Sequence, residues 1–312
     1  MNLLGPNIEF IIKPITNMKG IFSSHRPIYK VFEWVILICI FSALCIGLWA
    51  LIWGRTDLSS LKWLQVLQSL GLFLLPSLAA AYLWSEEPTG YLHLNTRPAW
   101  QDLCFGVVII ILSIPAINLL SYLNQQLTLP PFLSDLEAFL KEKEKAALDL
   151  TEWFMYADNI GILTLNVMFM ALLPAICEES CFRGILQGLF SGNTTAVGKQ
   201  VSRSQHMAIW ATAFIFSFIH FQFYGFLPRL LLGALLGYLL VWTGSLWVPI
   251  VTHFTNNALS VIAYYICTKS NINIDEIDAL GTEDTLWLGI LSIALVSTAI
   301  YFYCRRRLNT KA

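Results

Sequence analysis

Residues 160–183 read IGILTLNVMFMALLPAICEESCFR, an apolar run that ends in two carboxylates and a guanidinium. The stretch from Ile160 to Ile176 approaches the ~20 residues that cross the hydrocarbon core of a bilayer. An ionisable side chain at the bilayer centre costs at least roughly 2.5–3.5 kcal/mol, so such groups are normally paired, turned away from lipid, and functional. On a helix Glu179 and Arg183 stand at i and i+4 and form a clasp, whereas Glu178 points about 100° away and lacks that partner. The unpaired acid is the residue that needs a function.

The rest of the chain fits a membrane setting. Of 312 residues, 56% are hydrophobic and 12% charged, against about 25% charged in an ordinary soluble domain. The net charge of −1, spread over so few charges, gives no basic patch and sets nucleic acid aside. The opening residues have no signal-peptide h-region, and an uncleaved N-terminus is expected. Seven cysteines fall in or beside apolar runs and behave as small hydrophobes, without a disulfide signature.

Eight apolar runs are expected to span: about Val31–Trp53, Leu61–Trp84, Leu103–Leu123, Ile160–Phe190, His206–Phe221, Arg229–Trp242, Ser245–Thr268 and Leu286–Cys304. Tryptophans such as Trp53, Trp84, Trp100 and Trp247 mark their ends at headgroup level. The fold class is therefore all-α, a polytopic bundle of about eight transmembrane helices around an intramembrane polar cavity. Residues 1–30, with Lys13, Lys19, Arg26 and Lys30, read as an interfacial segment. Residues 31–158 hold three spans and a connector, 159–268 a catalytic core, and 269–312 an acidic loop, the last span and a basic tail.

Within the connector, Ser134-Asp135-Leu136-Glu137 reads as a capping box opening an amphipathic surface helix. Gly233 and Gly237, four residues apart, invite close helix approach. Eleven lysines and arginines fall on the side of the termini and six on the other. Both termini are therefore expected in the cytoplasm of a multi-pass cell-membrane protein. No inverted repeat of the transporter kind is visible.

Three apolar runs carry groups that lipid rejects: Glu178, Glu179 and Arg183 in the fourth, His220 in the fifth, His253 and Asn257 in the seventh. A shared interior site accounts for all of them. His253 and Asn257 are i, i+4 neighbours, and Pro249 frees a backbone carbonyl nearby. Amide hydrolysis needs a base for water and donors aimed at the developing oxyanion. Glu178 can be the base, His220 can orient the same water, and His253 with the Asn257 amide can donate to the oxyanion. Such chemistry needs no cofactor. A zinc mechanism is the alternative, with Glu178, His220 and His253 as ligands and Glu179 as base, although no H-E-x-x-H helix is present. A transporter or immunity-like scaffold without enzymatic activity would use the same residues as a proton relay or as glue between helices.

Glu178-Glu179-x-x-x-Arg183, Phe216-x-x-x-His220 and His253-x-x-x-Asn257, in that order, resemble the CAAX protease and bacteriocin-processing (Abi) family of intramembrane endopeptidases. The resemblance covers roughly residues 160–262. It implies a bundle of about eight helices and hydrolysis of a peptide bond in a membrane-associated protein or peptide. It assigns Glu178 and His220 to the water, His253 and Asn257 to the oxyanion, and Glu179 and Arg183 to support. The family has been described as metalloproteases and as glutamate proteases, so zinc stays open.

Overall fold

The computed structural model describes residues 18–54, 57–192, 197 and 200–309. Most of the expected interfacial segment therefore lies outside the described residues, as do Arg55, Lys199 and Lys311 of the charge tally. The described residues form helices and connecting turns, with no strand among them. The principal helices are α1 (Pro27–Ile52), α2 (Ser59–Trp84), α3 (Trp100–Gln125), α4 (Ser134–Met155), α5 (Ile160–Ser191), α6 (Arg203–Phe218), α7 (Phe226–Thr243), α8 (Trp247–Ser270) and α9 (Leu286–Asn309).

Six helical stretches among the described residues are long and apolar enough to cross a membrane: α1, α2, α3, α5, α7 and the stretch that ends in α9. The chain is an all-helical polytopic membrane bundle. The other two expected spans exist as helices but do not meet that standard. The α6 helix has only 16 residues. The α8 helix has 24 but spends its apolarity on Thr252, His253, Thr255, Asn256 and Asn257. The α8 helix carries His253 and Asn257 of the candidate site, and α6 carries Phe216, with His220 just beyond its end.

The apolar faces point both ways. Along α1, Phe32, Ile36, Leu44 and Leu51 are 58–88% exposed, as expected of a helix whose solvent is lipid. Inward, Trp34, Ala80, Trp84, Cys181, Phe182, Ile185 and Phe216 join α1, α2, α5 and α6 in one core. The α6 helix lies along α7, α9 along α3, and α8 against α3 and α5. Gly106 marks the closest approach of α3 and α8, since a Cβ there would sit 2.1 Å from Thr252 Oγ1.

Local chemistry sets the helix ends. Asp57 and Asn159 cap α2 and α5 by accepting from Ser60 and Ile162 backbone N–H groups. A full capping box, Ser202 with Gln205, opens α6. The box expected at Ser134 does not form. A 3₁₀ turn at Pro131–Leu133 runs directly into α4, so Ser134 is already helical. The Glu137 carboxylate instead accepts from the Leu129 N–H and pairs with Lys141. Pro249 also has a plainer role than expected. It lies in the first turn of α8, where its missing N–H costs nothing, and the Ser245 carbonyl it would have bonded accepts from Thr243 Oγ1.

Interior polar groups stitch the bundle together. At Pro115 the helical ladder of α3 is interrupted, and Ser292 of α9 fills the gap by accepting from the Ala116 N–H and donating to the Leu112 carbonyl. Buried Asp102 takes the Tyr303 hydroxyl at 2.8 Å and pairs with Arg307. The last arginine of the basic tail thereby ties α9 to α3.

Candidate active site

The α5 helix changes register around the two glutamates. It is α-helical through Leu173–Glu179 and π-helical over Ser180–Leu186, a widening of the helix often found at functional sites. Arg183, in that wide turn, donates Nη1 to Glu179 Oε1 at 2.8 Å and Nη2 to the Gly233 carbonyl of α7 at 2.8 Å. One turn on, Gln187 Nε2 donates to the Gly237 carbonyl at 3.2 Å. Two polar side chains four residues apart thus meet two carbonyls four residues apart. The paired glycines make this possible, because a Cβ on Gly233 would press on Ala213 and Phe216 at 3.2 Å.

Glu179 and Arg183 side chains have no exposed surface. Glu179 Oε1 also lies 2.8 Å from His253 Nδ1. A carboxylate accepts, so Nδ1 carries the hydrogen and Nε2 becomes the nitrogen available to the site. That nitrogen faces Glu178 Oε2 at 3.9 Å. This is too long for a hydrogen bond and a separation that one bridging water fits. The Glu178 side chain retains 14% exposure while that of His253 retains 4%, so of the two neighbouring acids Glu178 is the one with exposed surface.

His220 lies just past the C-terminus of α6. Its Nδ1 donates to the Phe216 carbonyl at 2.7 Å, which leaves Nε2 as an acceptor. Phe216 is the common neighbour of the three motifs. Its ring lies 4.7 Å from the Arg183 guanidinium and stands edge-on to His220 and His253 at centroid distances of 5.0 and 6.0 Å. Beyond His220, Phe221 takes a left-handed backbone with φ 52°, uncommon for a bulky residue. The turn is held in place from outside. Asn124 Nδ2 donates to the Phe223 carbonyl and its Oδ1 accepts from the Leu227 N–H, while Glu144 of α4 accepts from the Tyr224 N–H at 2.8 Å.

Asn257 lies one turn from His253 on α8. Its Oδ1 accepts from Asn256 Nδ2 at 3.1 Å, which leaves its own amide N–H groups free to donate. Among the described residues no hydrogen bond joins Asn257 to Glu178 or His220. The structure thus brings Glu178, Glu179, Arg183 and His253 into direct relation, attaches His220 through Phe216, and places Asn257 nearby on the helix that carries His253. The sequence reading did not single out Gln187, Asn256 or Arg229. Arg229 left one trace, since with Arg183 it was one of two basic residues that the loop tally did not take up.

Among the described residues no group of three or more His, Cys, Asp or Glu is arranged to hold an ion. His253 Nδ1 and Arg183 already engage Glu179 Oε1. The cysteines beside Glu178, Cys177 and Cys181, are buried and free.

Residues 160–259 match the family model described as type II CAAX prenyl endopeptidase Rce1-like. Over 98 residues the chain is 31% identical to the uncharacterized protein YpbD of Bacillus subtilis (strain 168), a match covering 30% of this chain and 43% of that protein. The match thus spans less than half the length of that relative. No solved structure matches the chain. The matched segment holds all three motifs, from Glu178 to Asn257, so over the whole of the candidate site this chain is similar to the Rce1-like type II CAAX prenyl endopeptidases.

Proposed function

We propose that this chain is an intramembrane endopeptidase that hydrolyses a peptide bond of a membrane-associated protein or peptide with water activated by Glu178. The observation that carries the reading is the split between the two neighbouring acids. Glu179 is wholly buried and committed to Arg183 and His253, whereas Glu178 is partly open and lies 3.9 Å from His253 Nε2, beyond hydrogen-bond reach. Similarity to a protease family over residues 160–259 supports the reaction class.

In this mechanism the water sits between Glu178 and His220, whose Nε2 accepts from it. Glu178 removes a proton as the water oxygen bonds to the scissile carbonyl carbon. The carbonyl oxygen becomes an oxyanion, which takes hydrogen bonds from the Asn257 amide and from an N–H at His253 Nε2. Glu178 then returns the proton to the amide nitrogen as the C–N bond breaks. Glu179 and Arg183 orient His253 and do not touch substrate. No step requires a metal, and both termini lie in the cytoplasm, in keeping with the loop charges.

The test is cleavage of a peptide library by detergent-purified protein, read by mass spectrometry with and without chelator. New fragments in both conditions are expected. Fragments that disappear with chelator contradict the water-activation scheme, and no fragments in either condition favour a scaffold or transporter.

A further inference from the structure

Arg229 lies in the first turn of α7, beside the site, and the mechanism above does not use it. Its Nη2 donates to Gln222 Oε1 at 2.5 Å, but Nη1 is buried with no hydrogen-bond partner. Among the described residues no carboxylate stands within ion-pair distance of it. Arg183 engages a carboxylate, a carbonyl and an aromatic face and leaves only Nε without a partner. Arg229 has been given much less.

An unpaired guanidinium inside a membrane bundle is costly and marks a functional position. Its place is informative. Glu178 lies close enough to interact with its charge, as do His220 and Glu144 of α4. Gly225 gives the group its room, because a Cβ there would stand 3.2 Å from Nη2. The planar fork of N–H groups on arginine matches a carboxylate better than any other common ligand.

We propose that Arg229 is the substrate-anchoring residue of the site, with Nη1 taking a carboxylate of the bound peptide a few residues from the bond presented to Glu178. The proposal rests on the endopeptidase reading and adds a substrate class to it: peptides that carry a carboxylate close to the cut, either the C-terminal carboxylate or an acidic side chain. A carboxylate arriving there satisfies the buried N–H and the unpaired charge together.

Binding on an inactive protein tests this separately from catalysis. Three sets of fluorescent apolar decapeptides are titrated onto Glu178→Gln protein in detergent: free acids without Asp or Glu, C-terminal amides without Asp or Glu, and amides containing one Glu. The expected result is about 10- to 100-fold tighter binding of one carboxylate-bearing set than of the carboxylate-free amides. That preference should vanish in Glu178→Gln/Arg229→Gln and persist in part in Glu178→Gln/Arg229→Lys. The winning set identifies the source of the carboxylate. Equal binding of all three sets overturns the proposal, as does a preference that survives Arg229→Gln. Failure of cleavage by the wild type would sink the endopeptidase reading and leave these binding results standing.

Discussion

Glu179 Oε1 meets His253 Nδ1 at 2.8 Å, two residues 74 positions apart in the chain brought together inside the bundle. The same oxygen accepts from Arg183. One carboxylate oxygen thus holds the Nδ1 hydrogen of His253 and pairs with the arginine, while the adjacent Glu178 lies 3.9 Å from His253 Nε2, beyond hydrogen-bond reach.

The first expectation concerns this clasp. Glu179→Gln and Arg183→Ala each strand a buried partner, at a cost of about 3–5 kcal/mol, and should lower folded yield and melting temperature in detergent. Glu178→Gln should melt close to the wild type, because its carboxylate holds nothing together. Equal losses for Glu178→Gln and Arg183→Ala would refute the division between acid and clasp.

Asn257 offers a second. With Oδ1 bonded to Asn256, its amide is free to donate to an oxyanion, and loss of one such donor typically costs about 10²–10³ in turnover. Aspartate there would set negative charge against the oxyanion, so activity should fall in the order wild type, Asn257→Ala, Asn257→Asp, with KM changing less than kcat. Greater activity in Asn257→Asp than in Asn257→Ala, abolished by chelator, would require a metal instead.

The amphipathic connector should loosen in acid. Glu137 lies outside the membrane-spanning helices, and its hydrogen bond with Lys141, then that from the Leu129 N–H, hold its carboxyl below the ordinary 4.5. A depressed carboxylate stabilises the fold above its unfolded value and loses that contribution as pH falls through the folded one. Pulsed-EPR distances between labels replacing Lys143 and Phe218 should stay sharp above about pH 4.5 and broaden below it. A distribution unchanged down to about pH 2 would show that Glu137 does not hold α4 in place.

Topology gives a further expectation. A cysteine placed after Lys311 should resist a membrane-impermeant label in intact cells, if the orientation expected from the eleven-to-six asymmetry of loop charges holds. Labelling from outside would reverse the orientation.

Much of the fold was legible because lipid imposes a simple rule. Every apolar run from Val31 onward became a helix near its expected bounds, and the Gly233/Gly237 interval did mark a close approach. Two of the eight expected spans fall short of the six that are long and apolar enough to cross, α6 by its 16 residues and α8 by the polar residues it carries. At the site, i, i+4 spacing identified the Glu179–Arg183 pair, but the bond from Glu179 to His253 crosses between helices and no local pattern encodes it. The capping box at Ser134 failed for a related reason: the preceding Pro130-Pro131 turn had already started the helix. Arg229 escaped notice because it reads as a charge at a span's end, and its burial depends on how Gln222 and Gly225 fold back over it.

The central claim is that Glu178 activates the water, and single-turnover cleavage of a peptide substrate by Glu178→Gln protein tests it most directly. The account predicts a melting temperature near that of the wild type and no detectable product, with wild-type cleavage unaffected by chelator. Product formation by Glu178→Gln at a rate within about tenfold of the wild type would contradict it, since a general base is worth about 10²–10⁴.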